Sequence, residues 1–200
     1  AVACTAATSL ASLGQPGIEA LLGRVEPNAG GDQPALAGLR SAGEPGLATL
    51  RSLLAGPVAS VRASAATALG LLPDPGSIPM LTRAAGDLDR AVQAAASASL
   101  VSFGAQAVPA VFDVLAGDDA DLRYSAADVL VSIGAASVDR LVQGLSETRG
   151  EVRAACLRTL VLIGEQALPL AERLTPPRFT EALEAVIIAF DPDAPARRRQ

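Results

Sequence analysis

Residues 151–164 read EVRAACLRTLVLIG, and residues 121–134 read DLRYSAADVLVSIG. The same residue types recur at the same offsets, thirty residues apart. Val152 matches Leu122, Arg153 matches Arg123, Leu160 matches Leu130, and Gly164 matches Gly134. The block continues upstream. VQAAASASLVSF begins at Val92 and closes on Gly104, and VRASAATALGLL begins at Val61, where the turn LPDPG (72–76) replaces the single glycine. Weaker copies end at Gly43 and Gly14. In the first of these Val2, Ala6 and Leu10 stand where Val152, Cys156 and Leu160 stand in the last. Self-similarity at a fixed period of about thirty residues is the mark of a repeat array.

A second block follows each closing turn: GIEALLGRV, GLATLRSLLA, SIPMLTRAA, AVPAVFDVLA, SVDRLVQGLS and ALPLAERLT. Ile18, Leu47, Ile78, Val108, Val138 and Leu168 share one column. Leu21, Leu50, Leu81, Val111, Leu141 and Ala171 share another, three residues on. That spacing predicts an amphipathic helix. The unit is therefore helix, glycine turn, helix. A closing glycine reverses the chain at positive φ without steric cost. Pro79, Pro109 and Pro169 occupy one column, so the second helices must begin just before them. The second copy carries Pro34 and Gly38 and is expected to form a short first helix.

The periodicity predicts an all-α fold: a solenoid of about six helix pairs plus a C-terminal capping helix. The array spans 1–190, with units at 1–29, 30–57, 58–87, 88–118, 119–148 and 149–176. The capping helix (FTEALEAVIIAF) lies in 177–190, and a basic tail ending in RRRQ fills 191–200. A lone pair cannot bury both its faces, whereas stacked pairs share a continuous core. Ala63, Ala66, Ala94, Ala95, Ala126, Ala127, Ala154 and Ala155 permit close approach of first helices, and Leu69, Leu100, Leu130 and Leu160 fill the space between them.

Arg62, Arg123 and Arg153 form a further column, with Gln93 substituting once. Each sits in the first turn of a helix, where the macrodipole disfavours a cation. Each should therefore have acidic or carbonyl partners. Asp87, Asp89, Asp118, Asp119, Asp121 and Glu147 are the candidates, forming a structural ladder between units. The competing reading is an anion-binding stripe, which the acidic balance of the chain disfavours.

The pattern V-R-x-x-A-A-x-x-L-x-x-x-G, followed by A-V-x-x-L-x-x-L-L, resembles HEAT repeats. The short period is similar to the bacterial HEAT-like repeats first named for phycobilin lyase subunits. The resemblance implies a right-handed α-α superhelix and a non-catalytic scaffold or adaptor that binds a partner protein on a concave face lined by second helices. Its alternative is a lyase-like subunit or chaperone handling a bilin on a partner protein. Family members also include a di-iron hydroxylase and alkyl-base glycosylases. The chain has no histidine for the hydroxylase's ligands or for a nucleophile's base. It has no phosphate-cradling glycine loop. Cys4 and Cys156 lie five units apart, so no zinc cluster is expected. No catalytic residue, cofactor or metal is expected.

Half of the 200 residues are apolar, yet aromatics make up 2% and the net charge is -5. Alanine, leucine and valine must carry the packing, and the charge argues against nucleic acid as a partner. Two cysteines suggest no disulfide framework and a reducing, cytoplasmic setting. No apolar run is long enough to span a bilayer. AVAC at residues 1–4 bears a faint likeness to a lipoprotein cleavage site, with Cys4 as acceptor. A monomer with a protein partner is expected. The candidate contact residues on the solvent side of the second helices are Met80, Arg83, Asp113, Asp139, Arg140, Gln143, Leu170 and Arg173. Phe112 is a further candidate anchor, for which a place in the core is the favoured reading.

Overall fold

The computed structural model describes residues 2–25, 33–72, 74–146 and 149–171. Among them there are eleven α-helices and no strand: α1 (Val2–Ala11), α2 (Gln15–Leu22), α3 (Pro34–Ser41), α4 (Gly43–Leu54), α5 (Ala59–Leu71), α6 (Ile78–Ala84), α7 (Arg90–Phe103), α8 (Val108–Leu115), α9 (Ala120–Ile133), α10 (Ala135–Gly144) and α11 (Gly150–Ala171). The fold is all-α, as the period predicts. The expected capping helix and tail lie outside the described residues. The chain forms two compact units, Ala1–Ala107 and Val108–Gln200.

The glycines do what the repeat requires. Gly14, Gly43, Gly104 and Gly134 have φ of 70°, 57°, 55° and 71°, and among the described residues no other residue type has positive φ. At Gly134 ψ is -133°, a combination that a Cβ excludes on steric grounds. The prolines also fall where they are tolerated. Pro79 is the second residue of α6 and Pro109 the second of α8. Asp89 and Asp119 cap α7 and α9, each accepting from two backbone N–H groups of the first turn. Both were candidates for pairing with the arginines; the helix starts claim them instead.

In the first unit α1 packs on α3 and α5 on α7, while α4 lies against α5 and α6 against α7. The approach of α5 to α7 is close. A Cβ on Gly70 would stand 2.4 Å from the Cβ of Ser99. The serines use that proximity: Ser99 Oγ donates to Ala66 O at 2.9 Å, and Ser102 Oγ to Gly70 O at 2.9 Å. Gly38 has the same role in α3, where a Cβ would lie 2.7 Å from Ala7 O of α1. The residue that weakens the second copy as a helix is thus the one that lets it stack.

In the second unit α9 packs on α11, and α10 lies against α8 and α11. Phe112 is fully buried and enters a notch at Gly144, where a Cβ would meet its ring at 2.7 Å and Cys156 Sγ at 2.6 Å. The large columns supply the core: Leu69, Leu100 and Leu130 are wholly buried, as are Leu50, Leu81 and Leu141. Ala66, Ala126 and Ala155 are buried between helices, whereas Ala94 is exposed.

One reversal expected from the sequence does not occur. Helix α11 runs unbroken through Gly164 to Ala171 and takes Pro169 inside it. Glycine permits positive φ but does not impose it. Glu165, Gln166, Ala167 and Leu168, all good helix formers, favour continuation. At Gly134, by contrast, Ser137 Oγ donates to the carbonyls of Leu130 and Gly134 and fastens the turn.

Two substitutions test this account by urea denaturation. Gly134→Ala is expected to cost about 1–3 kcal/mol, since the backbone conformation admits only glycine at low cost. Leu130→Ala is expected to cost about 2–5 kcal/mol, because its site is closed on all sides. A Gly134→Ala variant as stable as the wild type would mean that the turn is not held at positive φ.

Candidate interaction face and the arginine clamps

The arginine column shows why a periodic residue needs a partner in the same register. Arg62 Nε and Nη2 donate to the two oxygens of Asp87, both at 2.8 Å, and Nη1 donates to Gly56 O and Pro57 O at 3.1 and 3.0 Å. One guanidinium therefore ties the loop before its own helix to the loop that follows α6. Asp87 passes the connection on, accepting from the backbone N–H of Asp89, which caps α7.

Arg123 repeats half of this. Its Nη2 donates to Gly117 O at 3.0 Å, six residues back, as Arg62 does to Gly56 O. The position twenty-five residues on, which Asp87 fills for Arg62, is Thr148 for Arg123. Arg123 pairs instead with the exposed Glu151 at 3.3 Å, and its buried Nε has no partner among the described residues. Asp118 holds the Asp87 register, but the residue twenty-five before it is Gln93. Asp118 pairs with Arg149 at 2.6 Å, and Arg149 also donates to Ala116 O. The side chain of Asp121 forms no ion pair among the described residues, and its backbone carbonyl accepts from Ser125. Arg153 lies exposed in the first turn of α11, while Glu147 is outside the described residues. The bidentate rung expected from the column is thus present at Arg62 and replaced by other pairings at Arg123.

A second cluster has no counterpart in the periodic pattern. Arg51 of α4 donates to Glu44 at 2.8 Å, to Asp74 at 2.7 Å and to Ser77 Oγ at 3.1 Å, and Ser77 in turn donates to Asp74. Burial pushes the Asp74 carboxyl up, but the hydrogen bonds from Ser77 and Arg51 outweigh it and hold it below the ordinary carboxylate range. Asp87 is held below that range by the Arg62 hydrogen bonds, against a smaller opposing effect of burial.

The candidate contact residues divide by environment. Arg83 of α6, Asp113 of α8, and Asp139 and Gln143 of α10 are exposed, and Met80 is half-buried. Their charged or polar ends make no hydrogen bond or ion pair among the described residues. Arg140 is different. Its guanidinium carbon lies 3.6 Å from the centroid of the Phe112 ring, so it covers a core aromatic as a cation–π partner. Leu170 falls inside α11, where only the backbone is described, and Arg173 lies outside the described residues. Met80 and Arg83 meet in one recess of roughly 370 Å³ with Leu54, Ala55, Arg62 and Asp87.

Among the described residues no group of three or more His, Cys, Asp or Glu side chains is placed to hold a metal. No single helix among them is long and apolar enough to cross a membrane.

A family model described as HEAT repeats matches residues 47–131, the stretch that holds α5 to α9 and the Arg62 clamp. Across that stretch the chain carries HEAT-like repeats. Repeats of this class are generally protein-interaction scaffolds. Two solved structures are similar at low identity. One is an engineered protein, with 18% identity, 92% of this chain and 95% of that chain covered, and a TM-score of 0.44. The other is a designed armadillo repeat protein in complex with the peptide (KR)4, with 17% identity, 88% and 92% covered, and a TM-score of 0.41. No curated protein matches the chain.

The clamp gives a signed pH dependence. Because the folded pKa of Asp87 is depressed, its contribution to stability is complete above the unfolded value near ~4 and disappears as pH falls through the folded value. Asp74 acts in the same sense. Asp87→Asn is expected to show a smaller drop in unfolding midpoint between neutral and acid pH than the wild type. Thermal melts at a series of pH values measure it, and an identical drop in both proteins would remove Asp87 from the account.

Proposed function

We propose that this chain is a non-catalytic scaffold that binds a partner protein on the face made by its second helices, the concave face in stacks of this kind. It acts as a cytoplasmic monomer with no cofactor. One contrast supports the reading. Arg51, Arg62 and Arg149 on the loops and helix ends are engaged in holding the fold. The second-helix side chains Arg83, Asp113, Asp139 and Gln143 are exposed and engaged in nothing among the described residues. Polar groups kept out of the internal network are available for recognition. Arg140 is withdrawn as a simple contact residue, because its removal would uncover Phe112.

A photo-crosslinking residue placed at Asp113 or Gln143 should capture a protein from the native cell extract. The same residue at the exposed first-helix positions Ala94 or Ser132 should not. Equal capture from both sets, or capture from the first helices alone, would refute the choice of face. An absorbance titration with a bilin separates the lyase-like reading: the scaffold is expected to leave the spectrum unchanged.

A further inference from the structure

The recess in the first unit specifies what the partner presents. It lies at the C-terminal ends of α4 and α6, with Leu54, Ala55 and Ala84 as small apolar walls and Met80 half-buried among them. Its volume of roughly 370 Å³ is in the range of ligand-binding clefts. Two of its three charges cancel. Arg62 and Asp87 are locked to one another, and the donors of Arg62 are committed to Asp87, Gly56 O and Pro57 O. The helix ends add little acceptor character, because the carbonyls of Ser52, Leu53, Arg83 and Ala84 already accept from backbone N–H groups. Arg83 is left: exposed, lining the recess and without an ion pair among the described residues. The site is therefore an open recess of mixed polar and apolar lining, with one uncompensated cation at its edge.

We infer that this recess takes a short segment of the partner protein in which an acidic side chain pairs with Arg83 and an adjacent apolar side chain packs on Met80. The inference rests on the scaffold reading and names the chemistry of its partner. The net charge of -5 works against any general attraction for acidic peptides, so a preference for one has to be local.

Two fluorescein-labelled octapeptides test it on the full chain, one alternating leucine with glutamate and one alternating leucine with glutamine. Fluorescence anisotropy is expected to show the glutamate peptide binding about three- to fivefold more tightly, the gain of one partly exposed ion pair. Arg83→Gln should abolish the difference. Ala55→Leu should weaken both peptides by filling the recess, with the helical circular dichroism of both variants unchanged. Equal affinities in the wild type, or a preference that survives Arg83→Gln, would overturn the assignment. That failure would leave crosslinking from Asp113 and Gln143 intact, whereas failure of the scaffold reading removes those crosslinks.

Discussion

A helix pair in this chain has two apolar sides and no means of covering both, so each unit depends on its neighbour coming very close. The close approach of α5 to α7 is set by what is absent. Gly70 has no side chain, and Ser99 fills the position a methyl group would take. Bringing two backbones this near exposes helix carbonyls to the neighbouring helix, and Ser99 and Ser102 donate hydroxyl hydrogens to them. Small residues therefore do two things here: they admit the neighbour, and they satisfy the polar groups its approach would otherwise strand.

The scarcity of aromatics follows from the same constraint. Wide rings would hold the helices apart. Phe112 is tolerated because Gly144 opens a notch for it and Arg140 closes the ring from one side. That arrangement converts a side chain that looks like a binding anchor into a cover for the core. It also narrows the proposed recognition surface to groups with no structural duty, among which Arg83, Asp113, Asp139 and Gln143 stand out.

The arginine clamp shows how a repeat ages unevenly. The loop carbonyl six residues upstream is a backbone group, present whatever the sequence, and both Arg62 and Arg123 find it. The acid twenty-five residues downstream is a side chain and can be lost. Asp87 remains, Asp118 faces a glutamine in the register, and Thr148 replaces the acid for Arg123. A column of arginines alone does not make a ladder. A rung needs two positions to keep matching types, and only the pair at 62 and 87 does.

The sequence by itself determined the helix pairs up to α10, their thirty-residue period, the glycines at positive φ through Gly134, Pro79 and Pro109 at helix starts, and the leucine columns of the core. All of these are set by residues within a few positions of one another, so their signal is local and periodic. The tertiary structure alone decided which acid each arginine meets, why Gly38 and Gly70 sit inside helices, why Arg140 lies over Phe112, and that α11 ignores Gly164. Those outcomes depend on distances between side chains some twenty-five to thirty-three residues apart, or on whether a permissive residue is pressed into its unusual conformation. A repeat pattern fixes the register of such groups but not the few ångströms that separate a hydrogen bond from a miss.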